Sequence, residues 1–70
     1  MHIITINFEP VELFKILKFE SIVGSGGEAK TRIGEGLVKV NGEVETSKSR
    51  KMVSGDTIEF EKRHYQLALA

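Results

Sequence analysis

Cysteine is absent from this 70-residue chain. No disulfide can staple the fold, and no thiolate can serve as nucleophile or metal ligand. That fits a reducing compartment. No apolar run is long enough to cross a bilayer as a helix. The opening Met1-His2-Ile3-Ile4-Thr5 lacks the charged and apolar regions of a secretion signal. The expected location is the cytoplasm, with no membrane partner. An excess of either charge is missing too: ten basic residues balance ten acidic ones. This argues against indiscriminate binding of polyanions. Any attraction to phosphate must come from charge gathered on one face. The length allows a single domain, residues 1–70. A domain of that size buries only about 60% of its unfolded surface.

What is present is a succession of periodic segments. Ile4, Ile6 and Phe8 alternate with Thr5 and Asn7, which predicts a strand over residues 2–6. Pro10 suits the first turn of a helix, where a missing N–H is harmless. Leu13, Phe14 and Leu17 recur at helical spacing, with Glu12, Lys15 and Lys18 opposite. The spacing predicts an amphipathic helix over residues 10–19. In Gly24-Ser25-Gly26-Gly27-Glu28-Ala29-Lys30, Ser25 and Glu28 have the spacing of a capping box. A second helix over about 26–35 follows, with Ala29 and Ile33 inward and Gly36 as its C-cap.

The remainder reads as strands. Val38 and Val40 point one way, Leu37 and Lys39 the other. Asn41-Gly42 is a strong hairpin signal, because both central residues of a type I′ turn need positive φ. Glu43-Val44-Glu45 is the short return strand. Thr46-Ser47-Lys48-Ser49-Arg50-Lys51 is polar, basic and aperiodic, an expected exposed loop. Ile58 and Phe60 alternate with polar residues after the Gly55-Asp56 turn. Arg63-His64 is expected to reverse the chain into a last strand with Tyr65, Leu67 and Leu69. The expected fold class is α+β in the order β-α-α-β-β-β-β.

The glycine-rich stretch resembles two phosphate-binding patterns and satisfies neither. Gly24, Lys30 and Thr31 fit G-x-x-x-x-G-K-[ST], but Ala29 stands where the second glycine belongs. Gly24, Gly26 and Ala29 fit G-x-G-x-x-A. Both patterns follow a strand of a parallel sheet, and here a helix precedes. A capped helix start accounts for these residues. Its free N–H groups and positive dipole would still favour a phosphate.

Catalytic constellations are missing. His2 and His64 have no neighbouring ligand at metal spacing. Ser25 has no histidine partner in view, and the cap explains it better than nucleophilic chemistry. The carboxylates are scattered. So small a chain offers little volume for a substrate pocket. The expectation is a non-enzyme with no cofactor, no metal and no small-molecule substrate.

The basic residues are unevenly distributed. Lys48, Arg50 and Lys51 share the expected loop. Lys30 and Arg32 lie on the second helix, and Lys39 on the strand after it. Glu9, Glu12, Glu20, Asp56, Glu59 and Glu61 lie elsewhere. By composition alone, these cations could simply keep the surface soluble. Phe8, Phe14, Phe19, Phe60 and Tyr65 mostly read as core, so no aromatic platform for stacked bases is expected.

The segment from Leu13 to Ile58 resembles the RNA-binding domain named after bacterial small-subunit ribosomal protein four. The resemblance rests on Leu13 and Leu17, then Ser25-Gly26-Gly27-Glu28-Ala29-Lys30, Ile33 and Gly36. It continues through Val38-Lys39-Val40-Asn41-Gly42, Val53, Gly55-Asp56 and Ile58. With its added first strand, the chain looks like the short stand-alone bacterial, YbcJ-like members. The resemblance implies two helices in an L, packed on a small and mainly antiparallel sheet. It also implies binding of structured RNA, ribosomal or transfer RNA, in association with the ribosome. The residues carried over are Ser25, Lys30, Arg32, Lys39, Lys48, Arg50 and Lys51. Many members carry arginine directly after the serine. Gly26 stands there in this chain, and Lys30 is the candidate to replace it.

Two rival readings have distinct chemistry. A ubiquitin-like sulfur carrier also ends in a V-x-x-G-D-x-I-like strand, but it needs a C-terminal Gly-Gly where this chain has Leu69-Ala70. A ribosome-associated protein adaptor would turn the same basic face toward an acidic partner. The chain is expected to act as a monomer.

Overall fold

Alternation and turn chemistry decide most of the sheet. In the computed structural model, which describes residues 1–70, nine elements follow one another. They are β1 (His2–Ile6), β2 (Val11–Glu12), α1 (Leu13–Phe19), α2 (Gly26–Gly34), β3 (Val38–Val40), β4 (Glu43–Val44), β5 (Lys51–Met52), β6 (Thr57–Phe60) and β7 (Arg63–Leu69). Five strands form one sheet in the order β1-β7-β6-β3-β4. Only β1 and β7 run parallel. The class is α+β, two helices against a mainly antiparallel sheet. The inward residues of the strands, among them Ile4, Ile6, Val38, Val40, Ile58 and Leu67, join Leu13, Ile16, Leu17, Ala29 and Ile33 in one apolar cluster. No polar or charged residue is buried, so the core carries no desolvated polar group to satisfy.

The element order departs from expectation at two short strands, β2 and β5, which pair antiparallel with each other. Helix α1 begins at Leu13, not near Pro10, which follows a cis peptide bond and precedes β2. The cause is a partner distant in sequence. The N–H groups of Leu13 and Phe14 donate to the carbonyls of Arg50 and Lys48 at 2.9 and 3.2 Å. These are first-turn donors that no helix can satisfy internally. The side chain of Glu12 does not cap them. The expected 46–51 loop is therefore docked along the start of α1, and Lys51 lies in a strand. Within this segment, Arg50 donates to the Glu45 carboxylate at 2.7 Å, and the Ser47 N–H does so at 3.1 Å.

Local signals hold at the ends of α2. Ser25 Oγ accepts the Glu28 N–H at 3.1 Å. At the other end Gly36 has φ +79°, with Gly36 N–H on Ile33 and Leu37 N–H on Arg32. That is a Schellman ending, and it requires the left-handed conformation glycine adopts freely. Asn41 and Gly42 have φ +53° and +86°, as a type I′ hairpin demands. The second hairpin turns at Glu61-Lys62, φ +53° and +65°, not at Arg63-His64. Arg63 and His64 already pair with Phe60 and Glu59. Neither Glu nor Lys signals a turn, so the strand pairing imposes this one.

Asn41 and Asp56 join the two hairpins. Asn41 Nδ2 donates to Asp56 Oδ1 at 3.1 Å, and Asn41 Oδ1 accepts the Thr57 N–H at 3.0 Å. Asp56 Oδ2 accepts the Val53 N–H at 2.9 Å. Asn41→Gly keeps the backbone conformation and loses only the amide bonds, an expected cost of about 1 kcal/mol in urea denaturation. Asn41→Ala should cost roughly a further 1–2 kcal/mol, because alanine resists positive φ. Equal costs would refute this account.

The Arg50 hydrogen bond to Glu45, with that of the Ser47 backbone, holds the Glu45 carboxyl below the usual carboxylate range. An acid depressed in the folded state adds stability above its unfolded pKa and loses it as pH falls through the folded value. Stability should therefore fall as the pH drops below about 4.3, the ordinary glutamate value. Glu45→Gln should show a smaller fall over the same window. Thermal melts across that range check it.

Candidate functional site

The start of α2 presents backbone donors. Ser25 is extended, and its hydroxyl oxygen is engaged by the Glu28 N–H, so its hydrogen stays available to a ligand. The Glu28 carboxylate returns to the Gly24 N–H at 2.9 Å, one residue before the position a capping box predicts. The Gly26 and Gly27 N–H groups have no partner within the chain. Gly26 has room beside it: a Cβ there would stand 3.7 Å from Lys18 Cδ, an ordinary contact.

Four residues along α2, Lys30 lies on the same face as Gly26. Its ammonium stands 4.7 Å from the centre of the Phe14 ring, a distance at which a cation is attracted to the ring face. From Lys30 an open groove runs between α2 and the 46–49 segment. Its walls are Lys30, Thr31 and Gly34 on one side and Thr46, Ser47, Lys48 and Ser49 on the other. No apolar side chain lines it. Lys18, Lys30 and Lys48 take part in none of the ion pairs of the molecule. The groove therefore combines hydroxyl groups with two ammoniums whose charge no carboxylate neutralises.

The structure brings Lys30 and Lys48 to this groove, leaves Ser25 at the start of α2, and takes the other four expected residues elsewhere. Arg32 sits between Glu28 at 3.8 Å and Glu35 at 3.3 Å. It lines a different depression, with Leu37, Phe60 and Glu61. Lys39 is on the uncovered face of the sheet, between Val44 and Glu59 in register. Arg50 is engaged by Glu45. Lys51 pairs in register with Glu12, beside Lys15. A hydrogen bond from Lys15, at 3.0 Å, is the main reason the Glu12 carboxyl is held below its usual range, with the charges of Lys15 and Lys51 adding to it.

Sequence reasoning missed Lys18 and misread two rings. Lys18 reads as plain solvent face on α1, and only the packing of the helices sets it beside Gly26. Phe14 is half-buried beneath Lys30. Phe8 and Phe19, expected in the core, are 66% and 65% exposed. A signal existed for Phe19: it lies about 200° around the helix from Leu17, away from the buried stripe. His2 and His64 are exposed, and His2 packs 5.7 Å from the Tyr65 ring centre. No group of three or more His, Cys, Asp or Glu is disposed to hold a metal ion. No helix is long and apolar enough to cross a membrane.

Comparison with known proteins places the sequence and the fold. The S4 domain family model matches residues 4–68. YbcJ of Escherichia coli, named for RNA binding, is 52% identical over 50 residues, 71% of each chain. RlbA of Bacillus subtilis, named for ribosome maturation, is 38% identical over 58 residues, 83% of this chain and 82% of that one. The solution structure of Escherichia coli YbcJ, described as revealing an α-L motif involved in RNA binding, aligns with a TM-score of 0.72. It shares 43% identity, covering 96% of this chain and 86% of that one. By its sequence over nearly its whole length and by its fold, the chain belongs to the S4 domain family.

Proposed function

We propose that this protein binds structured RNA, ribosomal or transfer RNA, without catalysing a reaction. It does so in the cytoplasm, as a monomer associated with a ribosomal subunit. The observation that carries the reading is the groove between α2 and the 46–49 segment. Only polar residues and a glycine line it, and it is flanked by Lys30 and Lys48, neither of which is in an ion pair. The Gly26 and Gly27 N–H groups and the Lys18 ammonium extend the same face. The RNA-binding description of YbcJ and the ribosome-maturation name of RlbA support it.

The chemistry suits an A-form duplex. Its base edges lie in a deep, narrow major groove, so a protein reads phosphates, 2′-hydroxyls and shape. The ammoniums answer the phosphates. The hydroxyls of Thr46, Ser47 and Ser49 can both donate to and accept from a 2′-hydroxyl, and that of Thr31, which already donates to the Gly27 carbonyl at 3.0 Å, can accept from one. Arg50 acts differently from the lysines: it holds the segment in place through Glu45.

A handful of phosphate contacts should give a salt slope of about −3 to −5. Binding to ribosomal RNA fragments, titrated across salt, checks this. Lys30→Ala and Lys48→Ala should each reduce the slope by about 1 and weaken binding uniformly across sequences. Lys39→Ala should change neither, because Lys39 lies on the far face of the sheet. Loss of binding with Lys39→Ala alone, or no salt dependence, would overturn the reading.

Gly26→Arg is expected to bind more tightly, with a slope steeper by about 1. The side chain has room beside Lys18, and at the first position of α2 the loss of glycine flexibility is offset by a cation at the positive end of the helix, so stability should change little. The paired measurement is RNA titration with urea denaturation.

A further inference from the structure

Phe8 and Phe19 stand exposed on the same side of the molecule, and both line one shallow groove. The groove runs between the end of β1 and α1. Its floor is apolar: Ile4, Ile6, Val11 and Ile16. Its volume is about 190 Å³. That falls below the roughly 300–1,000 Å³ of ordinary small-molecule sites. It has room for a flat ring but not for a whole ligand. Adjacent exposed apolar side chains on a small domain mark an interaction site.

The surrounding charge says what kind of partner fits. Lys15 and Lys51 share an adjoining depression with both phenylalanines and with Glu12, so two ammoniums face one carboxylate there. The Lys18 ammonium is 5.9 Å from the centre of the Phe19 ring. Lys15 is held by Glu12, whereas Lys18 and Lys51 are in no ion pair. Glu20 lines the groove but not the depression with Lys15 and Lys51. Its charge bars a phosphate from that end. A wholly apolar peptide would leave Lys18 unanswered, and one carboxylate, Glu12, between Lys15 and Lys51. A nucleotide uses both features, since its base offers a π-face to a phenyl ring and its phosphate pairs with an ammonium. The patch is also continuous with the proposed RNA face, because Lys18 reaches from Phe19 to Gly26.

We infer that Phe8 and Phe19 form a stacking site for an unpaired base of the bound RNA, with Lys18 and Lys51 taking its phosphates. The inference rests on the RNA reading above and deepens it: the target has a structured part on the α2 groove and a single-stranded part on this one. Stacking is tolerant of sequence, because every base has a π-face. The site would therefore add affinity for a junction or an overhang without selecting a particular base.

The test uses a short RNA hairpin, with and without an unpaired extension. The wild type should prefer the extended hairpin. Phe8→Ala and Phe19→Ala should lose that preference, by about five-fold to a hundred-fold, the range for removing a base stack. Lys48→Ala should weaken both hairpins equally. Both rings are exposed, so the alanine variants should melt as the wild type does. The chain has no tryptophan, so Phe19→Trp supplies a single reporter that keeps an aromatic face. Its fluorescence should be quenched by the extended hairpin and not by the blunt one. Unquenched fluorescence, with full preference in both alanine variants, would overturn the stacking site and leave the α2 groove standing. Failure of the wild type to bind either hairpin would overturn both. Alanine variants that keep their RNA affinity but leave salt-washed ribosomal subunits would assign the patch to a protein instead, which also overturns the inference.

Discussion

Two backbone hydrogen bonds hold together the side of this molecule that carries the candidate site. They run from the Leu13 and Phe14 N–H groups to the Arg50 and Lys48 carbonyls. A helix cannot satisfy its first donors by itself, and here a segment some 35 residues further on does so. The same contact turns an otherwise aperiodic stretch into a fixed wall. It ends in the β2–β5 pair, it is braced by Glu45 and Arg50, and it sets Lys48 across the groove from Lys30. Were that segment free, Lys48 would be a cation on a tether. Docked, it is a charge at a fixed distance from a helix, which is what recognition of a phosphate array by shape requires.

How much of this was legible in the sequence follows from the range of each interaction. The Asn41-Gly42 hairpin, the Ser25 cap and the Gly36 ending are decided within a few residues, and all were readable. The alternation of Val38 with Val40 and of Ile58 with Phe60 named the inward face correctly. What escaped depends on partners far along the chain. Val11 is a strand residue because Met52 lies opposite. The Glu61-Lys62 turn exists because β6 and β7 must pair around it. Asn41 and Asp56 read as separate turn signals, and only the fold makes them one network.

The site divides along the same line. Ser25 and Lys30 belong to one capped helix, and both were placed on it by the capping pattern. That Lys48 faces Lys30 is a tertiary fact. Arg32 and Arg50 looked equal to the lysines as charges in a string, yet carboxylates three to five residues away engage them. Lys39 alternates with Val38 and Val40, so the burial of those valines already sends it to the opposite side of the sheet. Lys18 had no distinguishing signal at all: its value comes from Gly26, which has no side chain to occupy the space between the helices.

The exact balance of charge has a consequence for how the molecule meets a partner. A net charge of zero gives almost no attraction beyond the screening length of about 8–10 Å at physiological salt. Yet Lys18, Lys30 and Lys48, none of them in an ion pair, lie around the start of α1 and α2, so the molecule is locally positive there despite its zero net charge. Long-range capture by any polyanion is weak, and this local charge acts only at close approach. Such a protein diffuses through a crowd of nucleic acid without being held by most of it. On the RNA-binding reading proposed above, it would stop where several phosphates present themselves together in the right orientation. Selectivity of this kind is set at the encounter, before a single base is read.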